Sequence, residues 1–359
     1  MMHVGKPALI GALLLGLASF SAPGGAAAQD AEVQWRGVAL QRLDLHWPER
    51  WEWFQGQLAE KTDGRFQLEL VTFPELGLTG SELIRLLSTG LLDAADVVTG
   101  YVSGEVPLFE GVQLPGVYAD YEQARQGYEV WLANVVEPRQ QAVGGKVLTS
   151  FAFASQYLWT NFAVDELSDL QDKKIRVFAK AQADYLASFG AEPVNIPLAD
   201  VYTALQLGTV DGAVTGPEFA AGAKLWEVIS HVTDLRLGVG AGFMVVSEQS
   251  WQGLPEEYRA VIDELVPELR RRAWDIGRRN TEDNLKVVVE NGIQATIPAK
   301  EAWREPLQEA ALDVVLAGWA RRQVQLQRLS GADRRLRDGV VQGRPRAGGP
   351  RLVQNIGRG

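Results

Sequence analysis

The sequence predicts an α/β protein built as two similar lobes. Three observations carry that expectation. Strands alternate with amphipathic helices, a ten-residue pattern recurs 118 positions along the chain, and a helical stretch near residues 256–290 is long enough to lie across both halves. Val33 to Ala39 reads as the first strand. Pro48 can then sit in the first turn of a helix, where its missing N–H costs nothing. Trp51, Phe54 and Leu58 follow at helical spacing, and Gly64 stands where a C-terminal cap belongs. Phe66, Leu68 and Leu70 alternate with polar residues as in a half-buried strand. Thr79-Gly80-Ser81-Glu82 opens a helix with Leu83, Leu86 and Leu87 on one face, and Ala94 to Thr99 is a short apolar strand. This alternation predicts parallel layers.

The repeat aligns Leu86–Ala95 with Ala204–Ala213. In each copy an amphipathic helix ends at a glycine, Gly90 or Gly208, and an aspartate three residues later, Asp93 or Asp211, leads into a strand. An offset of 118 is too long for a solenoid and suits two lobes. Helix–Gly–turn–strand is also a common local solution to chain reversal, and that alternative stands beside the first. Farther on, Trp251 to Pro255 predicts a turn, and Glu256 to about Glu290 a long helix with Tyr258, Ile262, Leu265 and Leu269 on its apolar face. Glu301 to about Arg328 predicts a last helical segment.

The ends differ from the body. Lys6, the apolar run Ala8–Ala18, the breaker Pro23-Gly24-Gly25 and the small residues Ala26-Ala27-Ala28 predict a signal peptide over 1–28, cleaved after Ala28. The run is too short to span a bilayer, so a periplasmic protein without direct membrane insertion is expected. Residues 329–359 hold seven arginines against Asp333 and Asp338 and are expected to form a basic, disordered tail. Removing both basic ends from the net charge of −10 leaves −16 on the body. That sign argues against nucleic-acid partners. With no cysteine and three histidines, thiol chemistry is excluded and a metal site is not expected. No G-x-S-x-G elbow, Walker A loop or H-E-x-x-H is present, and nothing positive supports an enzyme.

One series does stand out. Asp172-Lys173-Lys174-Ile175-Arg176-Val177-Phe178 precedes Phe189-Gly190-Ala191-Glu192-Pro193-Val194, and Leu198-Ala199-Asp200-Val201-Tyr202-Thr203-Ala204-Leu205-Gln206-Leu207-Gly208-Thr209-Val210-Asp211-Gly212 follows. In order and spacing the series resembles the solute-binding proteins of tripartite ATP-independent periplasmic (TRAP) transporters, the DctP-like family. The resemblance runs from about Trp35 to Arg328.

It implies a two-lobed periplasmic-binding-protein fold of type II-like topology, with a long helix crossing both lobes. Lobe I would comprise 29–153 plus 241–280, and lobe II 154–240 plus 281–328. It implies capture of a small organic acid between the lobes and delivery to the small and large TRAP membrane subunits, with no cofactor. Arg176 becomes the carboxylate clamp, since a guanidinium fork matches a carboxylate bidentately. The second basic residue that relatives often carry upstream is missing, and Gln156 stands nearest its place. One anchor with Gln156, Tyr157 and Trp159 nearby suits a monocarboxylate with an apolar or aromatic body better than a C4-dicarboxylate or sugar acid. Trp47 and Tyr101 are implied as cleft walls, although plain core packing is an equal reading of Trp47 and Trp159. Thr215, Gly216 and Glu218 are implied as polar contacts, with Phe219 as a lid. Asp211, like Asp93, is read as structural. Rival readings are a ligand-sensing adaptor and a secreted enzyme on the same scaffold.

Overall fold

Two sheets organise the computed structural model, which describes residues 31–118 and 120–325. The expected signal peptide and basic tail lie outside the described residues. In chain order the first strands are β1 (Val33–Ala39), β2 (Phe66–Thr72), β3 (Ala94–Val98) and β4 (Gly145–Ser155). Then come β5 (Tyr157–Thr160), β6 (Lys174–Val177), β7 (Glu192–Asn195), β8 (Gly212–Thr215) and β9 (His231–Thr233). The last two are β10 (Val239–Ser247) and β11 (Gln294–Thr296). One sheet has the order β2-β1-β3-β10-β4 and the other β11-β9-β5-β8-β6-β7.

Helices cover both faces of the first sheet, and its strands divide their side chains between two cores. Phe243 and Val245 of β10 enter a cluster with Val38, Leu87 and Val97. Met244 and Val246, pointing the other way, enter one with Trp51, Phe54, Leu58 and Leu68. A strand buried on both faces has no polar alternation to display, which explains the unbroken apolar run of β10.

The layers are mixed rather than parallel throughout, which corrects the first expectation. β1, β2 and β3 are mutually parallel, but β10 runs antiparallel to both β3 and β4. In the second sheet β5 is antiparallel to β8 and β9. The cause is the crossing between sheets. β4 leaves the first sheet at Ser155, β5 starts the second at Tyr157, and β10 brings the chain back beside β4, with Val239 opposite Ser155. A returning strand has to run against the one that left.

The helix Glu256–Glu290 binds this crossing to both lobes. Tyr258, Ile262, Leu265 and Leu269 enter the first lobe's core, and Val288 enters the second's. Between them Asn280 Nδ2 donates to the Phe153 carbonyl at 3.1 Å, and Thr281 Oγ1 accepts from Ser155 N at 2.9 Å. Close approach needs Gly277, where a Cβ would stand 2.3 Å from the Ala152 carbonyl oxygen. Just before it, Glu248–Gly253 forms a short helix where a turn is predicted from Trp251 on; the chain breaks only at Leu254-Pro255. Trp251, buried in the first core, holds that extra turn in place.

Both copies of the repeat are built alike. Helices Leu83–Ser88 and Val201–Gln206 lead to Gly90 and Gly208, with φ of +68° and +66°. Asp93 Oδ2 accepts from the Arg36 amide of β1 at 2.8 Å, and Asp211 Oδ2 from the Lys174 amide of β6 at 2.9 Å. Each aspartate thus fastens the start of its strand to the neighbouring strand.

Candidate functional site

The two sheets present their loops to each other across a cleft. The segment after β1 brings Leu40 to Leu43, the turn after β2 brings Thr72 to Glu75, and the segment after β3 brings Tyr101. From the second lobe come Pro197, Leu198, Tyr202 and Phe219. They enclose a cavity of about 350 Å³. Tyr101 and Pro197 also border a second hollow of about 500 Å³, lined by Ser103, Phe178, Lys180 and Asn195. Both sizes suit a small ligand, and sites between lobes at strand ends are where α/β folds commonly hold one.

Arg176 on β6 lies at this seam and is 1% exposed. Its Nε donates to the Ile196 carbonyl at 2.9 Å and its Nη1 to the Val214 carbonyl at 2.8 Å. Nη2 has no hydrogen-bond partner. The guanidinium lies 5.2 Å from the Phe178 ring, and Tyr101 packs edge-on to Phe178 with centroids 5.7 Å apart. Burial lowers the pKa of Arg176 from its ordinary value, and the nearby Tyr101 hydroxyl partly opposes that. Two backbone carbonyls, with the Tyr101 hydroxyl close by, therefore aim a desolvated cation that has no carboxylate partner. The other cations at the cleft are engaged: Arg42 is forked onto Glu75, and Lys180 is paired with Asp184.

Glu218, three residues past β8, is 5% exposed. Burial pushes its carboxyl up to about 8, and the Asp44 carboxyl adds to the push. Its Oε2 has no partner. Gly216 leaves the room this carboxyl occupies, since a Cβ there would stand 2.0 Å from Oε2. Asp44 comes from the first lobe, where burial raises it to about 6. The Gln41 amide donates to its Oδ2 at 2.9 Å, and the His46 backbone N–H donates to its Oδ1 at 2.7 Å. Behind Asp44, Arg50 donates to both oxygens of Asp96 at 2.8 and 2.7 Å and to His46 Nδ1 at 3.0 Å. His46 Nε2 meets the Ala152 carbonyl of β4 at 2.8 Å, and burial followed by the Arg50 charge holds the imidazole neutral.

The structure brings Arg176 and Tyr101 together and sets Phe219 in the cleft wall. Thr215 and Gly216 stand at the end of β8 beside Glu218, and the Thr215 carbonyl accepts from the Trp159 indole at 2.9 Å. Three candidates stand away from the two cavities described above. Trp159 is fully buried inside the second lobe's core, in one cluster with Phe219 and Ala220. Trp47 belongs to the first lobe's core, its indole donating to Glu52 at 2.6 Å and its face covered by Arg42. Gln156 sits at the crossing point, its amide donating to the Ala154 carbonyl at 3.1 Å, and borders a different hollow with Tyr121, Arg236 and Thr281. The sequence reading missed Gln41, Asp44 and Phe178. The general placement of α/β ligand sites at strand ends is the signal that points to the first two, which follow β1 within five residues.

Comparisons with known proteins agree with this architecture. The model of bacterial extracellular solute-binding protein family 7 (DctP) matches residues 46–315. The sialic acid-binding periplasmic protein SiaP of Vibrio cholerae is 24% identical over 253 residues, covering 70% of this chain and 78% of that one. The C4-dicarboxylate-binding periplasmic protein DctP of Rhodobacter capsulatus is 25% identical over 257 residues, covering 70% and 77%. Among solved structures, DctP7 of Bordetella pertussis, an extracytoplasmic solute receptor binding pyroglutamic acid, superposes with a TM-score of 0.73 at 20% identity, covering 80% of this chain and 95% of that one.

Proposed function

Since this chain belongs to family 7 of the bacterial extracellular solute-binding proteins, the DctP family of TRAP transporters, we propose that it captures a small organic acid through Arg176 and delivers it to TRAP membrane subunits. The observation that carries this reading is the orphaned Nη2 of a guanidinium buried without a carboxylate. A cation held out of water by two carbonyls is poised for an anion, and closure of the lobes around the pair strengthens it. The relatives named above bind carboxylic acids, which supports the same class here. Among the described residues, no second unpaired cation faces the cleft, which favours one carboxylate over two. Tyr101, Phe178 and Phe219 favour an apolar or aromatic body. Family members are binding proteins, and the same panel that finds a ligand tests for turnover. Because the ligand touches both lobes, its differential affinity for the closed form would shift the lobes toward closure.

A thermal-shift screen of mono- and dicarboxylates, sugar acids and aromatic acids tests this. An acid should raise the melting temperature and be recovered unchanged. Arg176→Ala should weaken that acid by roughly a hundredfold, the scale of losing one member of a buried charge pair. The free variant should melt within a few degrees of the wild type, since a desolvated charge leaves with the side chain. Unchanged affinity in Arg176→Ala would remove Arg176 from the site.

A further inference from the structure

The carboxylate reading uses Arg176 and the aromatic walls and leaves Glu218 without a task. Its carboxyl is 5% exposed, its Oε2 accepts from nothing, and among the described residues it joins no ion pair. It is not packed there for want of space. Gly216 provides a hollow that any side chain would fill, because a Cβ would meet Oε2 at 2.0 Å and Oε1 at 2.5 Å. Across the seam, Asp44 has both oxygens engaged, by Gln41 and by the His46 amide. The two segments touch: a Cβ on Gly222 would stand 3.0 Å from Leu43 Cβ. Gln41 and Phe219, each bonded to or adjoining one of the carboxyl residues, line the cleft itself.

The site therefore holds two buried polar groups with an unmet bond, and they have opposite needs. Arg176 Nη2 is a donor lacking an acceptor, and Glu218 Oε2, once its carboxyl is ionised, is an acceptor lacking a donor. Leaving either unmet is costly, and in native proteins such groups call for an explanation. A plain carboxylic acid would satisfy only the first. Resting on the carboxylate reading, we infer that the ligand also carries a nitrogen-bound hydrogen, as a protonated amine or a ring N–H, which Glu218 accepts while Arg176 holds the carboxylate. The ligand class is then a small amphoteric acid. Asp44, near enough to act on the Glu218 carboxyl, supplies a second acidic group at the seam, and its Gln41 partner holds that group in place. Against the ionised carboxylate, a ring oxygen or methylene in the same position would leave Glu218 unmet and would be rejected, since a site built to bond an N–H discriminates strongly against an analogue lacking it.

Isosteric acid pairs test the inference on the full chain at about pH 9, above the raised Glu218 value, where its carboxyl is ionised. Proline is compared with tetrahydrofuran-2-carboxylate and cyclopentanecarboxylate, and pyrrole-2-carboxylate with furan-2-carboxylate. Within a set, shape and carboxylate are shared and one ring atom changes. The expected result is that the N–H member of a set binds roughly tenfold or more tightly. Glu218→Met, which keeps volume without an acceptor, should reduce that preference to near unity while the isosteres keep their affinity. Oxygen or methylene members binding as tightly as their N–H partners in the wild type would overturn the inference, whether or not the variant folds. Full discrimination in a folded Glu218→Met would do so too. Arg176→Ala separates this from the reading beneath it. If that variant loses every acid while the pairs do not differ, only the amphoteric class falls. If it keeps every acid, the carboxylate clamp falls.

Discussion

Arg50 and Arg176 are equally shut off from water, yet only Arg50 has a carboxylate. Arg50 is forked onto Asp96, and Trp51 Nε1 donates to the same carboxylate at 3.0 Å. That pair is a structural unit. It ties the helical segment after Pro48 to β3, and through His46 it reaches the crossing strand β4. Removing one charge from such a unit strands the other in a medium that cannot solvate it. Asp96→Asn should therefore lower stability by about 3–5 kcal/mol, visible as a reduced midpoint in denaturant titration. A loss below about 1 kcal/mol, the level of an exposed pair, would show that water reaches Arg50. Arg176, left without an internal partner, is the residue free to answer a ligand.

Among the elements, the long helix and the crossing strands set how far the lobes can move independently. Gly277 lets the helix backbone approach β4 where β4 is about to leave its sheet, and Asn280 and Thr281 bond the last residues of that strand. A side chain at 277 cannot be absorbed by a rotamer change, because the atom it meets is a backbone carbonyl at 2.3 Å. Gly277→Val should lower the melting temperature and weaken protection of the Ser155 amide in hydrogen exchange, with distant amides such as those of β2 little changed. Uniform loss across the chain would contradict a local joint. Much of this level was legible in the sequence. Periodicity placed β1, β3 and the apolar face of the helix, and the repeat located two turns closed by equivalent aspartates. Strand direction was not legible, because β10 is antiparallel owing to where the chain has come from, which local pattern does not record. Nor could pattern tell a core indole from a cleft wall: Trp159 and Phe219 share one cluster, and only Phe219 reaches the cavity. Arg176 and Glu218 were found through a run of spaced motifs, whereas Asp44 sits in a segment with no periodicity and gains its character only when the lobes meet.

For the whole molecule, an acidic body of charge −16 brings two carboxyls together at the seam between its lobes, and stability against pH reports that choice. Glu218 has its pKa raised from 4.5 to about 8 in the folded protein, by burial first and then by Asp44. A group with a raised folded value contributes stability that is complete below its unfolded pKa and is lost as pH rises toward the folded one. Asp44, raised from 3.8 to about 6, has given up most of its share by pH 6.5. His46 works in the other direction. Held neutral by burial, it costs stability only as pH falls below its ordinary 6.5. Arg50 and Asp96, the remaining charges packed behind Asp44, are paired with each other. The window from pH 6.5 to 8 therefore isolates Glu218. Without ligand, stability should fall across it by roughly 1–2 kcal/mol, one proton's worth per unit of pH, and level off above 8. Thermal unfolding at half-unit steps would show this as a decline of a few degrees. Glu218→Gln should flatten the curve over the same window while leaving the acid limb below 6.5 intact. Parallel curves for the two proteins would mean that the Glu218 carboxyl is already ionised at neutral pH, and that a cation or water at the seam balances it.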